Sequence, residues 1–187
     1  VPVHVPRDFT VLKLADQGSK HRDTDDWSID DKSFSLLQSM AGRQFTCDIF
    51  SSPENAKTCN FYTKLPSSGC AGINAFSMNW ESDFNWVCPP VQEITNVVRH
   101  FKLQHCKGVL IVPNWPTSKF WNKITIDGKH LWPIFFKHLY FKPFLLTGSD
   151  CDNVFKNVPH FLMIALYFDS SIHKYDSPRS QDRKSVV

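Results

Sequence analysis

The run Gly108-Val109-Leu110-Ile111-Val112-Pro113 has no polar side chain along its length. A strand with one wet face alternates apolar and polar residues. A short unbroken apolar run is what a strand needs when both of its faces are covered. The closing proline lacks the amide that a further ladder rung would use. The run therefore predicts a buried strand in a sheet with helices on both faces, and the rest of the chain must supply the covering layers.

Those layers are legible on both sides of it. Ile94, Val97, Val98 and Phe101 recur at helical spacing, which predicts an amphipathic helix over residues 91–103. Phe34, Leu36, Leu37 and Met40 repeat in the same way. Ser28 with Asp31 three residues on has the form of a capping box at the start of that helix, and Gly42 is its stop. A further short helix is expected at 119–124. Strands are expected at 45–50, near Phe61-Tyr62, at 85–88 before Pro89-Pro90, at 142–146 and at 161–168. Strands alternating with helices, with no internal repeat, predict an α/β open sheet.

With 187 residues, 42% of them hydrophobic, the chain is long and apolar enough for one domain with a real core. No apolar run approaches the roughly 20 residues of a membrane helix. The start, Val1-Pro2-Val3-His4-Val5-Pro6-Arg7, has no signal core and no initiator Met, and reads as the interior of a longer polypeptide. Cys47, Cys59, Cys70, Cys88, Cys106 and Cys151 form no C-x-x-C pair. They read as reduced thiols, mostly core filler, in an intracellular compartment, cytoplasmic or nuclear. His100, His105 and Cys106 read as a helix end rather than a metal site. The net charge of +3 leaves nucleic acid open as a partner without arguing for it.

Four segments place a polar or proline turn where a strand should end, the edge at which open α/β sheets bind ligands. They are Asp48-Ile49-Phe50-Ser51-Ser52-Pro53-Glu54-Asn55, Asn74-Ala75-Phe76-Ser77-Met78-Asn79-Trp80, Trp86-Val87-Cys88-Pro89-Pro90 and Val109 to Trp115. Their order resembles the phage-type N6-adenine methyltransferases, whose motifs run D-x-x-A-S-x-x-N, D-A-(L/F)-x-x-x-W, N-P-P-Y and an apolar strand ending in proline. It is also similar to the related domain that follows RNase H in DIRS-type retrotransposon polyproteins. The resemblance covers about residues 25–168 and implies a class I methyltransferase-like, Rossmann-like sheet.

The resemblance implies S-adenosylmethionine as cofactor, near Asp48, Phe50, Ser52, Asn55 and Asn74. It puts Cys88, Pro89, Pro90 and Val91 at the catalytic N-P-P-Y position. In the family, the first residue of that motif and the adjacent backbone carbonyl accept hydrogen bonds from the target amine, and the aromatic fourth residue stacks on the base. A thiol is a poor acceptor and valine has no π face, so catalysis is expected to be impaired and cofactor binding weak or absent. Read without the resemblance, Asp48 is a helix N-cap, Pro89-Pro90 a strand stop, and Trp80, Trp86, Trp115 and Trp121 core or pocket aromatics rather than base-stacking platforms.

Upstream, His4-Val5-Pro6-Arg7 and Leu14-Ala15-Asp16-Gln17-Gly18-Ser19-Lys20 resemble the end of a retroelement RNase H. Asp16 would be the last metal-binding carboxylate of that domain, inactive without its partners, because the two-metal clamp needs several carboxylates. Three segments are therefore expected: residues 1–24, a poorly packed RNase H remnant; 25–169, the methyltransferase-like domain; and 170–187, a disordered tail. The expected role is structural or nucleic-acid-binding, beside a reverse transcriptase and RNase H in the parent polyprotein. The alternatives are an active S-adenosylmethionine-dependent DNA adenine methyltransferase with a variant site and an interaction module co-opted by a host.

Overall fold

The computed structural model describes residues 26–143, 146–148 and 161–171, the strand 146–148 by its backbone alone. Asp16, Cys151, the expected remnant at 1–24 and most of the tail lie outside these residues. Ser170 is an exception to the expected tail. It is buried, and its hydroxyl accepts the Cys106 amide at 2.9 Å.

Nine strands and three α-helices are present among the described residues. They are β1 (Trp27–Ile29), α1 (Asp31–Ala41), β2 (Cys47–Asp48), β3 (Asn60–Thr63), β4 (Gly72–Ile73), β5 (Phe84–Val87), α2 (Ile94–Leu103), β6 (Lys107–Pro113), α3 (Trp121–Ile124), β7 (Phe135–Phe141), β8 (Leu146–Gly148) and β9 (Met163–Asp169). Seven strands make one sheet in the order β4-β3-β2-β5-β6-β9-β7. The first five are mutually parallel; β9 runs antiparallel to both β6 and β7. The fold is thus a mixed α/β one with a mostly parallel sheet, as expected. β1 and β8 pair separately.

The apolar run of β6 is buried from Gly108 to Pro113. Its alternate residues feed two cores. Leu110 and Val112 join Ile49, Val87, Val97 and Phe101 beneath α2 and α3, while Val109 and Ile111 join Trp27, Leu37, Phe45, Trp86 and Tyr167 beneath α1 and β1. Gly108 is required by packing. A Cβ there would lie 2.0 Å from the Asn85 carbonyl oxygen of the neighbouring strand.

The helix α1 begins two residues later than the sequence suggests. Ser28 lies in β1, and Asp30 is the N-cap, accepting the Ser33 amide at 2.9 Å. Its end is as expected: Gly42 is left-handed at φ 70°. Two strand expectations also move. The aromatic segment Phe135–Phe141 is a strand not expected from the sequence, while residues 142–143, expected to open one, are not in a strand. No helix bridges β2 to β3, so the alternation of strand and helix is incomplete on that side.

Candidate functional site

In a doubly wound sheet the ligand sits at the C-terminal strand edge, where the order reverses. Here the chain runs outward from β2 to β3 and β4, then returns to β5 and β6 on the other side, so that point lies between β2 and β5. A cleft of about 310 Å³ opens there. Its walls include Ile49 and Phe50 after β2, Tyr62, Thr63 and Lys64 at the end of β3, Asn74, Ala75 and Phe76 after β4, and Pro90, Gln92 and Glu93 after β5, with Asp26 closing one side.

The apolar wall is an aromatic cluster. Phe50 meets Phe76 edge-on at 5.5 Å and Trp80 at 6.0 Å; Trp80 in turn lies 4.2 Å from His100. Asn74 holds φ 59°, a left-handed conformation that costs a residue with a Cβ, and strain of this kind collects at ligand sites. Two carboxylates face the space. Asp26 accepts from the Asn55 side-chain amide at 2.7 Å, and Glu93 from that of Asn96 at 2.8 Å. A flat ring against the phenyl walls and a cationic group near the carboxylates fit this lining. The polar pattern is otherwise thin. The end of β3, where a nucleotide site of this layout carries a ribose-binding acid, has Thr63 and Lys64. The turn after β2 has Ser51 and Ser52 instead of glycines.

Of the residues expected to hold a cofactor, Phe50 and Asn74 line the cleft and Asp48, Ser52 and Asn55 do not. Asp48 lies 2% exposed on the other side of β2, in register with Trp86. No helix follows it, so the N-cap alternative falls as well; its Oδ2 accepts the Lys57 amide at 3.0 Å and clamps the loop. Oδ1 accepts no hydrogen bond of good geometry among the described residues. Burial pushes this carboxyl up to about 7, against the opposing pull of the Lys57 and Phe50 amides. Ser52 and Asn55 shape the turn: the Ser52 amide donates to the Asn55 side-chain oxygen at 2.8 Å. Asn55 then positions Asp26.

The residues at the expected catalytic position are mostly sealed. Pro90 reaches the cleft; Cys88, Pro89 and Val91 are not part of its lining. Cys88 is 2% exposed, and burial, with the nearby charges of Asp48 and Asp26, pushes its thiol well up. Its Sγ lies 3.9 Å from the Trp27 carbonyl, while the Trp27 indole N–H donates to the Pro89 carbonyl at 2.9 Å. Val91 is half-buried against both cores. Trp80 and Trp86 are fully buried and Trp121 nearly so, which makes them core residues.

Asp26, Glu93 and Phe76 are among the cleft residues not expected from the sequence as ligand contacts. Asp26 and Glu93 flank the motifs, and Asp26 is brought in by its bond from Asn55 and by the Trp27 indole on Pro89. Among the described residues no group of three or more His, Cys, Asp or Glu is placed to hold a metal, and no helix is long and apolar enough to cross a membrane. Comparison with protein-family models gives no match, and neither does comparison with curated proteins.

Proposed function

We propose that this chain is a methyltransferase-like domain of the DIRS-type retroelement kind whose base-handling half is closed, leaving a structural or nucleic-acid-binding role. One observation carries the reading. The Pro89 carbonyl, an acceptor that the resemblance assigns to a target amine, lies outside the lining of the cleft, buried under the Trp27 indole that donates to it. Beside it Cys88 is sealed and offers a thiol, and Val91 has no ring to hold a flipped base. Turning a base out costs a few kcal/mol, and nothing at this position offsets it.

The cofactor half keeps more of its shape. The doubly wound order, the cleft at the reversal point and the Phe50 and Phe76 walls support a class I methyltransferase-like ancestry. S-adenosylmethionine, which supplies a methyl group when bound, would find carboxylates for its cationic groups in Asp26 and Glu93. Its missing partners at Lys64 and Ser51 make that binding weak. Calorimetric titration with S-adenosylmethionine and transfer of labelled methyl to duplex and single-stranded DNA test both halves. Weak or no binding without transfer is expected. Turnover lost in both Glu93→Gln and Phe76→Ala would overturn the reading and favour an active adenine methyltransferase, the reading that the open cleft favours. A reverse transcriptase and RNase H upstream in the same reading frame would identify the polyprotein partners.

A further inference from the structure

We propose that the β7 end of the sheet face covered by α2 and α3 binds single-stranded nucleic acid, with bases stacking on Phe136 and Tyr140 and phosphates held by Lys102 and Lys123. This rests on the nucleic-acid branch of the reading above but on a different surface. β7 lies four strands from β2, roughly 19 Å at the usual strand spacing.

The first observation is charge. Residues 26–93, which build most of the cleft side, hold eight acidic residues against four Lys or Arg. Residues 94–142 hold eight Lys or Arg against the single acid Asp127. Arg99, Lys102, Lys119, Lys123, Lys129 and Lys142 are all exposed. The modest net charge of the whole chain hides this division. A concentrated positive half attracts a polyanion and steers its approach.

The second observation is that β7 is an edge strand among the described residues, with rings turned to water. Phe136 is 61% exposed and Tyr140 48%; His138, also exposed, meets Tyr140 edge-on at 5.6 Å. His138 and Tyr140 stand opposite Leu166 and Ile164, which belong to the core under α2 and α3. The helices over that core carry the cations. The Lys102 ammonium sits 4.7 Å over the Trp132 ring, shortly before β7, and α2 touches α3. Burial, and then the charge of Lys123, lower the pKa of Lys102, which places the two lysines within electrostatic reach.

These features select the occupant. A second copy pairing along β7 would set one positive half against another, and the bulge between Phe135 and Lys137 breaks the flat ladder that such pairing needs. A duplex keeps its base faces stacked inside and gives the rings nothing to cover. A single strand offers both phosphates and open base faces.

The test is fluorescence anisotropy on the full chain with labelled oligothymidylate, oligouridylate and a duplex of equal length, across a NaCl series. Both single strands are expected to bind more tightly than the duplex; the tighter of the two identifies DNA or RNA as the partner. Phe136→Ala and Tyr140→Ala should each weaken binding about fivefold to a hundredfold. Lys102→Gln and Lys123→Gln should each flatten the log–log salt slope by roughly 0.7. All four positions are exposed, and unchanged thermal melts will show that the variants fold. The proposal is overturned if the ring variants bind like the parent, if the duplex binds equally well, if nothing binds at low salt, or if sedimentation shows a dimer that Phe136→Ala dissolves. The S-adenosylmethionine titration reads the cleft and this experiment reads β7, so either can fail alone.

Discussion

Asp48 is a carboxyl whose proton is worth more in the folded protein than outside it. Burial raises its pKa to about 7, while an unfolded chain keeps the ordinary value near 4. Below pH about 4 both states hold the proton. Between about 4 and 7 the folded state retains a proton that the unfolded chain has lost, so stability falls as pH rises through that window. The full loss from this group, reached above about 7, is on the order of 4 kcal/mol. Urea unfolding at pH 5 and pH 8 should show the parent losing a few kcal/mol on going up, and Asp48→Asn should remove most of that slope. Trp27→Phe is the companion experiment. It keeps a ring in the core but leaves the Pro89 carbonyl unpaired, and it should cost about 1–3 kcal/mol by the same measurement. At this scale the sequence named the right neighbourhood more often than the right atoms. Phe50, Asn74 and Pro90 do reach the cleft. Asp48 and Cys88 turn away because a strand alternates its side chains, and that parity depends on which neighbours bury which face.

The strands β5 and β6 approach each other so closely at one rung that only hydrogen fits. Gly108→Ala would force a Cβ to within 2.0 Å of the Asn85 carbonyl oxygen, and the two strands must part. The expected cost is roughly 3 kcal/mol or more, visible as a lowered thermal midpoint or insoluble protein. The attachment of α1 is gentler. The Tyr167 hydroxyl donates to the Leu37 carbonyl at 3.0 Å, and the Lys137 ammonium to that of Met40 at 2.8 Å, beside the helix C-terminus. Tyr167→Phe should cost about 1 kcal/mol in the same melts. The elements legible in sequence were those with a strong local signal: the unbroken run of β6, the one-sided stripe of α2, the glycine stop of α1. β7 carries no such signal, because a bulge and a paired Lys137 interrupt its alternation. β1 is three residues long, and its partner, β8, lies more than a hundred residues away. Nothing local announces such a strand.

The whole molecule places its strands in an order different from the order in which they are made. β9 lies between β6 and β7 but follows both in the chain. During synthesis, therefore, the buried strand β6 emerges with one edge unpaired, and Phe135–Phe141 emerges with no sheet to join. Both wait until residues 163–169 clear the ribosome, and then a single strand satisfies two edges together. A nascent chain stalled in that interval presents two sticky ladders, one of them rich in aromatic rings, to any other chain nearby. A version truncated after Pro143 should therefore aggregate during expression instead of folding as a smaller sheet, and adding back the missing strand as a separate peptide should recover soluble protein. A cell that makes this protein must translate through the gap quickly or shelter the chain with a chaperone while it does.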